Sequence, residues 1–172
     1  MIVVLLGYMG SGKSTIGRLL ATKLDSKFQD LDNYIESKQK ASVSDIFKSK
    51  GEVYFRNLEA TAVKELCTKQ QQLVLALGGG TPCYSDTMAF LLKHPNVITV
   101  MLTTSIETLT DRLLNEKSGR PLISDLTPDE IPEFIAKHLF ERAPYYSQAE
   151  ISVKTDHLSQ AKLVEEIISK LL

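Results

Sequence analysis

The sequence predicts an α/β domain in which a parallel β-sheet carries helices on both faces. Short apolar runs recur along the chain, and stretches with helical periodicity separate them. The first run leads into a glycine-rich segment and then into a helical pattern, as in a strand–turn–helix unit. In such a sheet ligands bind beyond the carboxyl ends of the strands, so the residues that follow each apolar run are the candidates for chemistry.

The predicted strands are the apolar runs, which lack the polar alternation of a half-exposed strand and are typical of strands buried on both faces. The runs are residues 2–6, 73–77, 97–102 and, more weakly, 151–153, with a short one that ends at Asp30. The first of these runs, residues 2–6, leads directly into a glycine-rich segment.

Residues Gly7–Ser14 match G-x-x-x-x-G-K-[ST], the phosphate-binding loop. Backbone N–H groups of such a loop converge on anionic oxygens, and the helix behind it adds its positive dipole end. The motif predicts that Lys13 reaches the β- and γ-phosphates of ATP and that the Ser14 hydroxyl binds Mg²⁺ directly. The residues predicted to bind the nucleotide here are Gly10, Ser11, Gly12, Lys13, Ser14 and Thr15.

Helical periodicity follows the phosphate-binding loop and recurs in the second half of the chain. The capping-box pattern Thr104–Glu107 predicts a helix to about residue 116, and Ser85 is the expected cap of the helix before it. Thr127 marks another helix start, and the last helix is predicted over about 157–172.

Two segments interrupt the alternation of strands and helices. Residues 31–60 are an insertion-like helical stretch, predicted to be a substrate-binding segment. Residues 112–126, approximately, end in a polar stretch punctuated by glycine and proline, which suits a lid over the site. Both belong to one P-loop domain over 1–172, since a chain of this length is typical of a single domain.

The amino-acid composition limits the kinds of partner that the protein is expected to bind. The formal charge is −1, with 20 basic and 21 acidic residues, so no footprint for nucleic acid or an anionic membrane is present. The two cysteines make no disulfide framework, and the apolar run at the start is too short for a signal peptide or a membrane span. We therefore expect a cytoplasmic monomer that binds neither nucleic acid nor a membrane.

Two aspartates follow the short second strand. Because alternate residues of an extended strand end point to one side, Asp30 and Asp32 are expected to face the phosphate-binding loop. One carboxylate can hold the water shell of Mg²⁺, and the other can accept a proton from an attacking hydroxyl or orient it.

Other classes of phosphate-loop protein fit less well. The base-reading motif N-K-x-D of switch GTPases does not occur. Many ATPase motors place an acidic residue directly after a long apolar strand, but here such strands lead into Gly78 and Thr103. The position of the aspartates instead favours a small kinase whose acceptor binds beside them.

Three consecutive glycines and several arginines are candidates for binding anionic groups. Gly78, Gly79 and Gly80 follow a buried strand, where the absence of side chains lets the backbone approach a ligand and donate to it. Glu59 shares a helix face with Arg56 and can aim that guanidinium at an anionic acceptor. Arg142 can supply the other side, and Arg120 can stabilise charge on the transferring phosphoryl group.

Taken together, the chain resembles shikimate kinases over residues 2 to about 156. The motifs that carry the resemblance are Gly7–Thr15, Phe28-x-Asp30-x-Asp32, Phe55-Arg56-x-x-Glu59, Leu77-Gly78-Gly79-Gly80, Arg120-Pro121-Leu122 and Arg142-x-Pro144-x-Tyr146. The arginine, triple-glycine and Arg-Pro-Leu elements in that order are far more specific than the phosphate-binding loop alone.

The resemblance implies a P-loop NTPase fold like that of nucleoside monophosphate kinases, with three α/β/α layers and a five-stranded parallel sheet. It implies ATP- and Mg²⁺-dependent phosphorylation of the 3-hydroxyl of shikimate. Asp32, Arg56, Gly79 and Arg142 would hold shikimate, with Asp32 meeting the attacking hydroxyl.

Further roles also rest on the resemblance. Asp30 would act on Mg²⁺ through water, Lys13 and Arg120 would stabilise the phosphoryl group, and Arg112 would stack on adenine. Two alternatives stay open at this point: another small-metabolite kinase, such as a gluconate kinase, and a nucleotide-binding regulator without catalysis.

Overall fold

The computed structural model of the chain describes residues 1–116 and 121–172. The strands of this part are β1 (Ile2–Leu6), β2 (Lys27–Asp30), β3 (Leu73–Ala76), β4 (Val97–Thr103) and β5 (Ile151–Lys154). The α-helices are α1 (Lys13–Lys23), α2 (Leu31–Gln39), α3 (Val43–Lys69), α4 (Thr87–Lys93), α5 (Ile106–Asn115), α6 (Ile131–Tyr146) and α7 (Gln160–Leu171). Short 3₁₀ turns span Thr81–Cys83, Pro121–Ile123 and Pro128–Glu130.

The five strands form one parallel sheet in the order β2-β3-β1-β4-β5. The central strand β1 places Ile2 opposite Leu73 on one side and opposite Val97 on the other. Apolar residues at every position of β1 are buried, as the continuous run predicts. The predicted α/β class with a five-stranded parallel sheet is confirmed.

Side chains of β1 alternate between two hydrophobic cores. Ile2, Val4 and Leu6 pack with helices α2, α3 and α4 on one face of the sheet. Val3 and Leu5 pack with α1 and α7 on the opposite face. The alternation follows from the two-residue period of a strand, and it produces three layers with the sheet in the middle.

The helix caps differ in detail from the predicted ones. Helix α5 is capped by Ser105, whose hydroxyl accepts the Thr108 N–H at 3.2 Å. The predicted cap Thr104 is instead buried, because its hydroxyl is hydrogen-bonded to that of Thr155 at 2.6 Å. The cap position of α4 is held by Asp86, not Ser85, and no side chain bonds to its N–H groups.

The segment 31–60 contains α2 and the first half of α3, and α3 is broken by one residue. Gly51 has φ 83° and ψ 174°, a backbone conformation that residues with a side chain rarely adopt. Residues before Gly51 therefore run in a different direction from Glu52–Lys69, which packs against the sheet. Within 1–116 and 121–172, no helix combines the length and apolar character needed to cross a membrane.

Helix α7 offers a test of its N-terminal cap. The Ser159 hydroxyl accepts the Lys162 N–H at 3.3 Å, and α7 buries Leu163, Val164 and Ile167 against the sheet. We expect Ser159→Ala to lower the free energy of unfolding by about 1 kcal/mol, because a helical N–H loses its partner. Thermal unfolding should then begin about 2–4 °C earlier.

Ser169→Ala is the matched control, since Ser169 lies exposed near the other end of α7 and its hydroxyl donates to the Glu166 carbonyl, not to a helix N-terminal N–H. Equal melting temperatures for the two variants would contradict a capping role for Ser159.

Candidate active site

The phosphate-binding loop joins β1 to α1 at the carboxyl edge of the sheet. Gly12 occupies the N-cap position of α1 and has no side chain with which to cap it. The first N–H groups of α1 are therefore not covered by a capping side chain, which is the arrangement that binds anions at a helix start. Lys13, the first residue of α1, donates from Nζ to the carbonyl oxygens of Gly7 at 2.7 Å and Tyr8 at 3.0 Å.

The two aspartates reach this loop from different elements. Strand β2 ends at Asp30, whose carboxylate accepts the Ser14 hydroxyl at 2.6 Å and caps α2 through the Asn33 N–H. Asp32 lies in the first turn of α2, not in an extended strand end as expected from the sequence. Both carboxylates nevertheless line the cleft beside Lys13.

Asp32 has an altered acidity. Burial, together with the nearby carboxylates of Glu59 and Asp30, raises the pKa of its carboxyl to about 6 against the opposing charge of Lys13. A carboxylate with a pKa closer to neutrality is a better proton acceptor than an ordinary aspartate. Such a shift in a cleft is typical of a functional site.

The glycines after β3 make room for two guanidinium groups. A Cβ atom on Gly80 would lie 2.8 Å from Nη2 of Arg56, and one on Gly79 would lie 3.0 Å from Nη1 of Arg142. Arg56 comes from α3 and Arg142 from α6, so helices far apart in the chain meet at adjacent glycines. Any side chain at Gly79 or Gly80 would displace an arginine or the backbone.

Arg56 is held by a buried network. Its Nη1 donates to Glu59 at 2.8 Å, and the other carboxylate oxygen of Glu59 accepts the Thr81 hydroxyl at 2.6 Å. Glu59 is only 2% exposed, so the ion pair that it forms is strongly oriented. The guanidinium of Arg56 also lies 4.1 Å from the ring centroid of Tyr84.

Arg142 is positioned by its own helix and by the glycines. Tyr146, one turn further along α6, donates from its hydroxyl to the Gly79 carbonyl at 2.5 Å. This bond fixes the end of α6 against the segment after β3. Arg142 therefore approaches Gly79 from a helix that is itself anchored to that glycine.

Two clefts adjoin at this edge of the sheet. The loop cleft, of about 570 Å³, contains the phosphate-binding loop, and the arginine cleft, of about 620 Å³, contains Arg56 and Arg142. The residues that line both are Met9, Asp30, Asp32, Gly78 and Gly79. A group bound in one cleft would thus lie next to a group bound in the other, with Asp32 between them.

The structure brings the predicted residues together in these clefts. Those in the loop cleft only are Gly10, Ser11, Gly12, Lys13, Ser14, Thr15 and Arg112. Those in the arginine cleft only are Arg56, Gly80 and Arg142. Arg112 donates to the Gly10 carbonyl at 2.8 Å. Arg120 and residues 117–119 of the predicted lid lie outside the described residues.

Sequence reasoning did not identify several residues of the site. Thr81 had a usable signal, because it directly follows the three glycines and precedes a proline. Tyr84 had none, since its contact with Arg56 joins two different segments of the chain. Thr155 and Leu158 line the loop cleft together with Arg112.

Comparison with known proteins identifies the family. The model of the shikimate kinase family matches residues 9–172. The chain belongs to the shikimate kinase family. Shikimate kinase of Flavobacterium psychrophilum is 46% identical over 165 residues, which covers 96% of this chain and 95% of that protein.

Solved structures agree with this assignment. Shikimate kinase from Bacteroides thetaiotaomicron is 36% identical with a TM-score of 0.89, and the match covers 99% of this chain and 96% of that one. Shikimate kinase from Acinetobacter baumannii in complex with shikimate is 33% identical with a TM-score of 0.88. That second match covers 99% of this chain and 92% of the other.

The prediction of a shikimate kinase, an ATP-dependent phosphotransferase, is confirmed by these matches. A gluconokinase from Sinorhizobium meliloti is also similar, but its 18% identity and TM-score of 0.60 show the fold alone. The matches therefore favour a shikimate kinase over a gluconate kinase or a regulator without catalysis.

The raised pKa of Asp32 makes a prediction about stability. Because the folded state holds this proton more tightly than the ordinary value of 3.8, ionisation of Asp32 opposes folding. The native chain should lose stability relative to Asp32→Asn as the pH rises from about 4 to about 6, by about 2 kcal/mol in total. Urea unfolding of both proteins across this range measures the difference.

Asp111→Asn, at an exposed position of α5, controls for the loss of one negative charge. If the difference in the free energy of unfolding between the native protein and Asp32→Asn stays constant between pH 4 and pH 6, the raised pKa is contradicted.

Proposed function

We propose that the arginine cleft binds shikimate and that the loop cleft binds ATP, with phosphoryl transfer where the clefts adjoin. The observation that carries the proposal is that Asp32, Gly78 and Gly79 line both clefts. Arg56 and Arg142 grip the acceptor carboxylate, because paired guanidinium groups match the geometry of that anion. The backbone of Gly78, Gly79 and Gly80 bounds the same acceptor.

Asp32 accepts the proton of the attacking hydroxyl or orients that hydroxyl. Its carboxylate is ionised in most molecules at neutral pH, yet its pKa of about 6 makes it more basic than an ordinary aspartate. The position between the clefts supports this role, because a proton acceptor must lie within reach of both the hydroxyl and the phosphoryl group. Arg56, held by Glu59, fixes the acceptor so that its hydroxyl meets Asp32.

Cationic groups bind the nucleotide end and the transferred phosphoryl group. Lys13 starts at the backbone of the loop and exchanges those carbonyl contacts for phosphate oxygens when ATP binds. Arg112, anchored on Gly10, stacks on adenine opposite Leu158. Arg120 stabilises charge on the phosphoryl group in transfer, a role that rests on its position in the Arg-Pro-Leu motif.

Mg²⁺ fits the donor set beside the loop. The Ser14 hydroxyl and the Asp30 carboxylate are both hard oxygen ligands and lie 2.6 Å apart. We infer that Ser14 binds the ion directly and that Asp30 binds it through water. The bound ion would neutralise charge on the phosphate oxygens. Ser14 and Asp30 are already held in place for it, since Asp30 also caps α2.

The remaining expectations concern organisation. We propose that residues 31–60 close over shikimate, as Val43 and Phe47 line the arginine cleft. Residues 112–126, approximately, act as the lid, as Leu122 lines the same cleft from the far side. We further propose that the enzyme acts as a monomer in the cytoplasm and binds neither nucleic acid nor a membrane, as its near-neutral charge suggests.

Asp32→Asn tests the role of the carboxylate. We expect kcat to fall by about 10²–10⁴-fold, because the amide cannot accept the proton, while the dissociation constant of ATP changes little. A coupled ADP-release assay with shikimate gives kcat, and nucleotide titration gives the affinity. Near-native kcat in the variant would exclude Asp32 as the partner of the hydroxyl.

Arg56→Lys tests the grip on the acceptor. An ammonium cannot reproduce the two-pronged geometry of a guanidinium, so KM for shikimate should rise about 10–100-fold with a smaller change in KM for ATP. Arg18→Lys, at an exposed arginine of α1 outside both clefts, is the control. Unchanged KM for shikimate in Arg56→Lys would argue against the proposed carboxylate site.

A further inference from the structure

Tyr8 belongs to the phosphate-binding loop, yet its side chain points into the interior. It is 1% exposed and packs in a cluster formed by α5, α6 and the turn at Pro121–Ile123. The other buried members of this cluster are Leu109, Leu113, Ile123, Ile131 and Ile135. The loop is therefore tied to the layer that carries Arg142 and the base of the lid.

The Tyr8 hydroxyl has a hydrogen-bond partner on α6. It lies 2.9 Å from Nδ1 of His138, whose ring also packs on Phe134 with centroids 4.3 Å apart. Burial lowers the pKa of His138, and the positive charge of Arg142 lowers it further. A neutral imidazole can accept the Tyr8 hydrogen at Nδ1 and carry its own proton on Nε2.

Arg142 lies one helical turn beyond His138 on the same face of α6. Its guanidinium carbon is 5.3 Å from the centroid of the Tyr8 ring. That distance is within the range of a cation–π contact. Two residues of α6 thus meet one side chain of the loop, His138 at the hydroxyl and Arg142 at the ring.

The backbone of Tyr8 faces the other way. Its carbonyl accepts Lys13 Nζ at 3.0 Å and the Ser11 N–H at 3.1 Å. One residue therefore contacts the lysine of the loop cleft through its main chain and the arginine of the arginine cleft through its side chain.

We propose that Tyr8 is a positioning residue that sets the location of Arg142 relative to the phosphate-binding loop. The hydroxyl bond to His138 fixes the ring, and the ring holds the guanidinium beside Gly79. The inference rests on the proposed role of Arg142 in binding the acceptor carboxylate. It assigns to the loop a second task beyond phosphate binding, that of aligning the acceptor with the nucleotide.

Simple core packing does not account for the arrangement. A phenylalanine would fill the same space without a polar atom, whereas a buried hydroxyl is costly unless it has a hydrogen-bond partner. His138 supplies that partner from the helix that bears Arg142, so the hydroxyl bond fixes the orientation of the Tyr8 ring relative to that helix.

A double-mutant cycle tests the proposal. Tyr8→Leu removes the ring, and we expect KM for shikimate to rise about 3–30-fold with a much smaller change in KM for ATP. In the Arg142→Ala background the same substitution should add little, because its effect passes through Arg142. Independent, additive effects, or equal rises in both KM values, would overturn the proposal.

Tyr8→Phe keeps the ring and guards against a folding defect in Tyr8→Leu. It should raise KM for shikimate by about 2–5-fold and shift the ¹⁵N resonance of His138 Nδ1, since the hydroxyl bond is lost. Tyr145→Phe, at an exposed tyrosine of α6 that lines neither cleft, is the matched control and should change neither quantity. An unchanged ¹⁵N chemical shift of His138 Nδ1 in Tyr8→Phe would overturn the proposed link between Tyr8 and α6.

A measurement without acceptor separates this inference from the proposed function. The Nε–H resonance of Arg142 should shift in Tyr8→Leu, because the ring current of Tyr8 acts on it in the free enzyme. An unchanged resonance overturns the positioning role. Unchanged KM for shikimate in Arg142→Ala, by contrast, overturns the proposed carboxylate grip.

Discussion

The contact of two guanidinium groups with the adjacent residues Gly79 and Gly80 sets the geometry of this site. Arg56 and Arg142 come from helices on one side of the sheet and reach a backbone that offers no Cβ at Gly79 or Gly80. The edge of the sheet fixes that backbone, because the glycines follow directly from β3 beside the central strand. The arginine cleft is therefore positioned by the same sheet that carries the phosphate-binding loop.

Charge in the site is arranged by burial as much as by pairing. Glu59 is buried between Arg56 and Thr81, and it raises the pKa of Asp32 as well as orienting the arginine. One carboxylate therefore serves two neighbours with opposite charges. The fold tolerates the ionisation of Asp32 at a cost in stability, which is common where a functional group is kept away from water.

The sequence was most informative where function depends on local chemistry. The strands were predicted closely, because buried parallel strands are continuous apolar runs, and the phosphate-binding loop is a contiguous motif. Asp30 and Asp32 were expected at one edge, and β2 ends at Asp30 as predicted, but Asp32 stands on a helix and not in extended chain. The cap of α5 was misplaced by one residue because burial of Thr104 against Thr155 could not be read from a capping pattern.

Tertiary partnerships were beyond local patterns. Tyr84 stacks on Arg56, and His138 meets Tyr8 across a separation of 130 residues, so no periodicity or spacing points to either contact. Such pairs depend on how helices cross over the sheet. The residues that carry chemistry were therefore more predictable than the residues that hold them in place.

The break in α3 at Gly51 divides the acceptor side into two mechanically different parts. Val43 and Phe47, before the break, shape one wall of the arginine cleft, while Arg56, after it, is anchored to the core by Glu59. Under the proposed binding mode, the wall formed by Val43 and Phe47 and the arginine that binds the acceptor carboxylate therefore lie on separate segments joined at Gly51. We infer that substitutions in the first segment can alter which alcohol is accepted, while Arg56 continues to select for an acid.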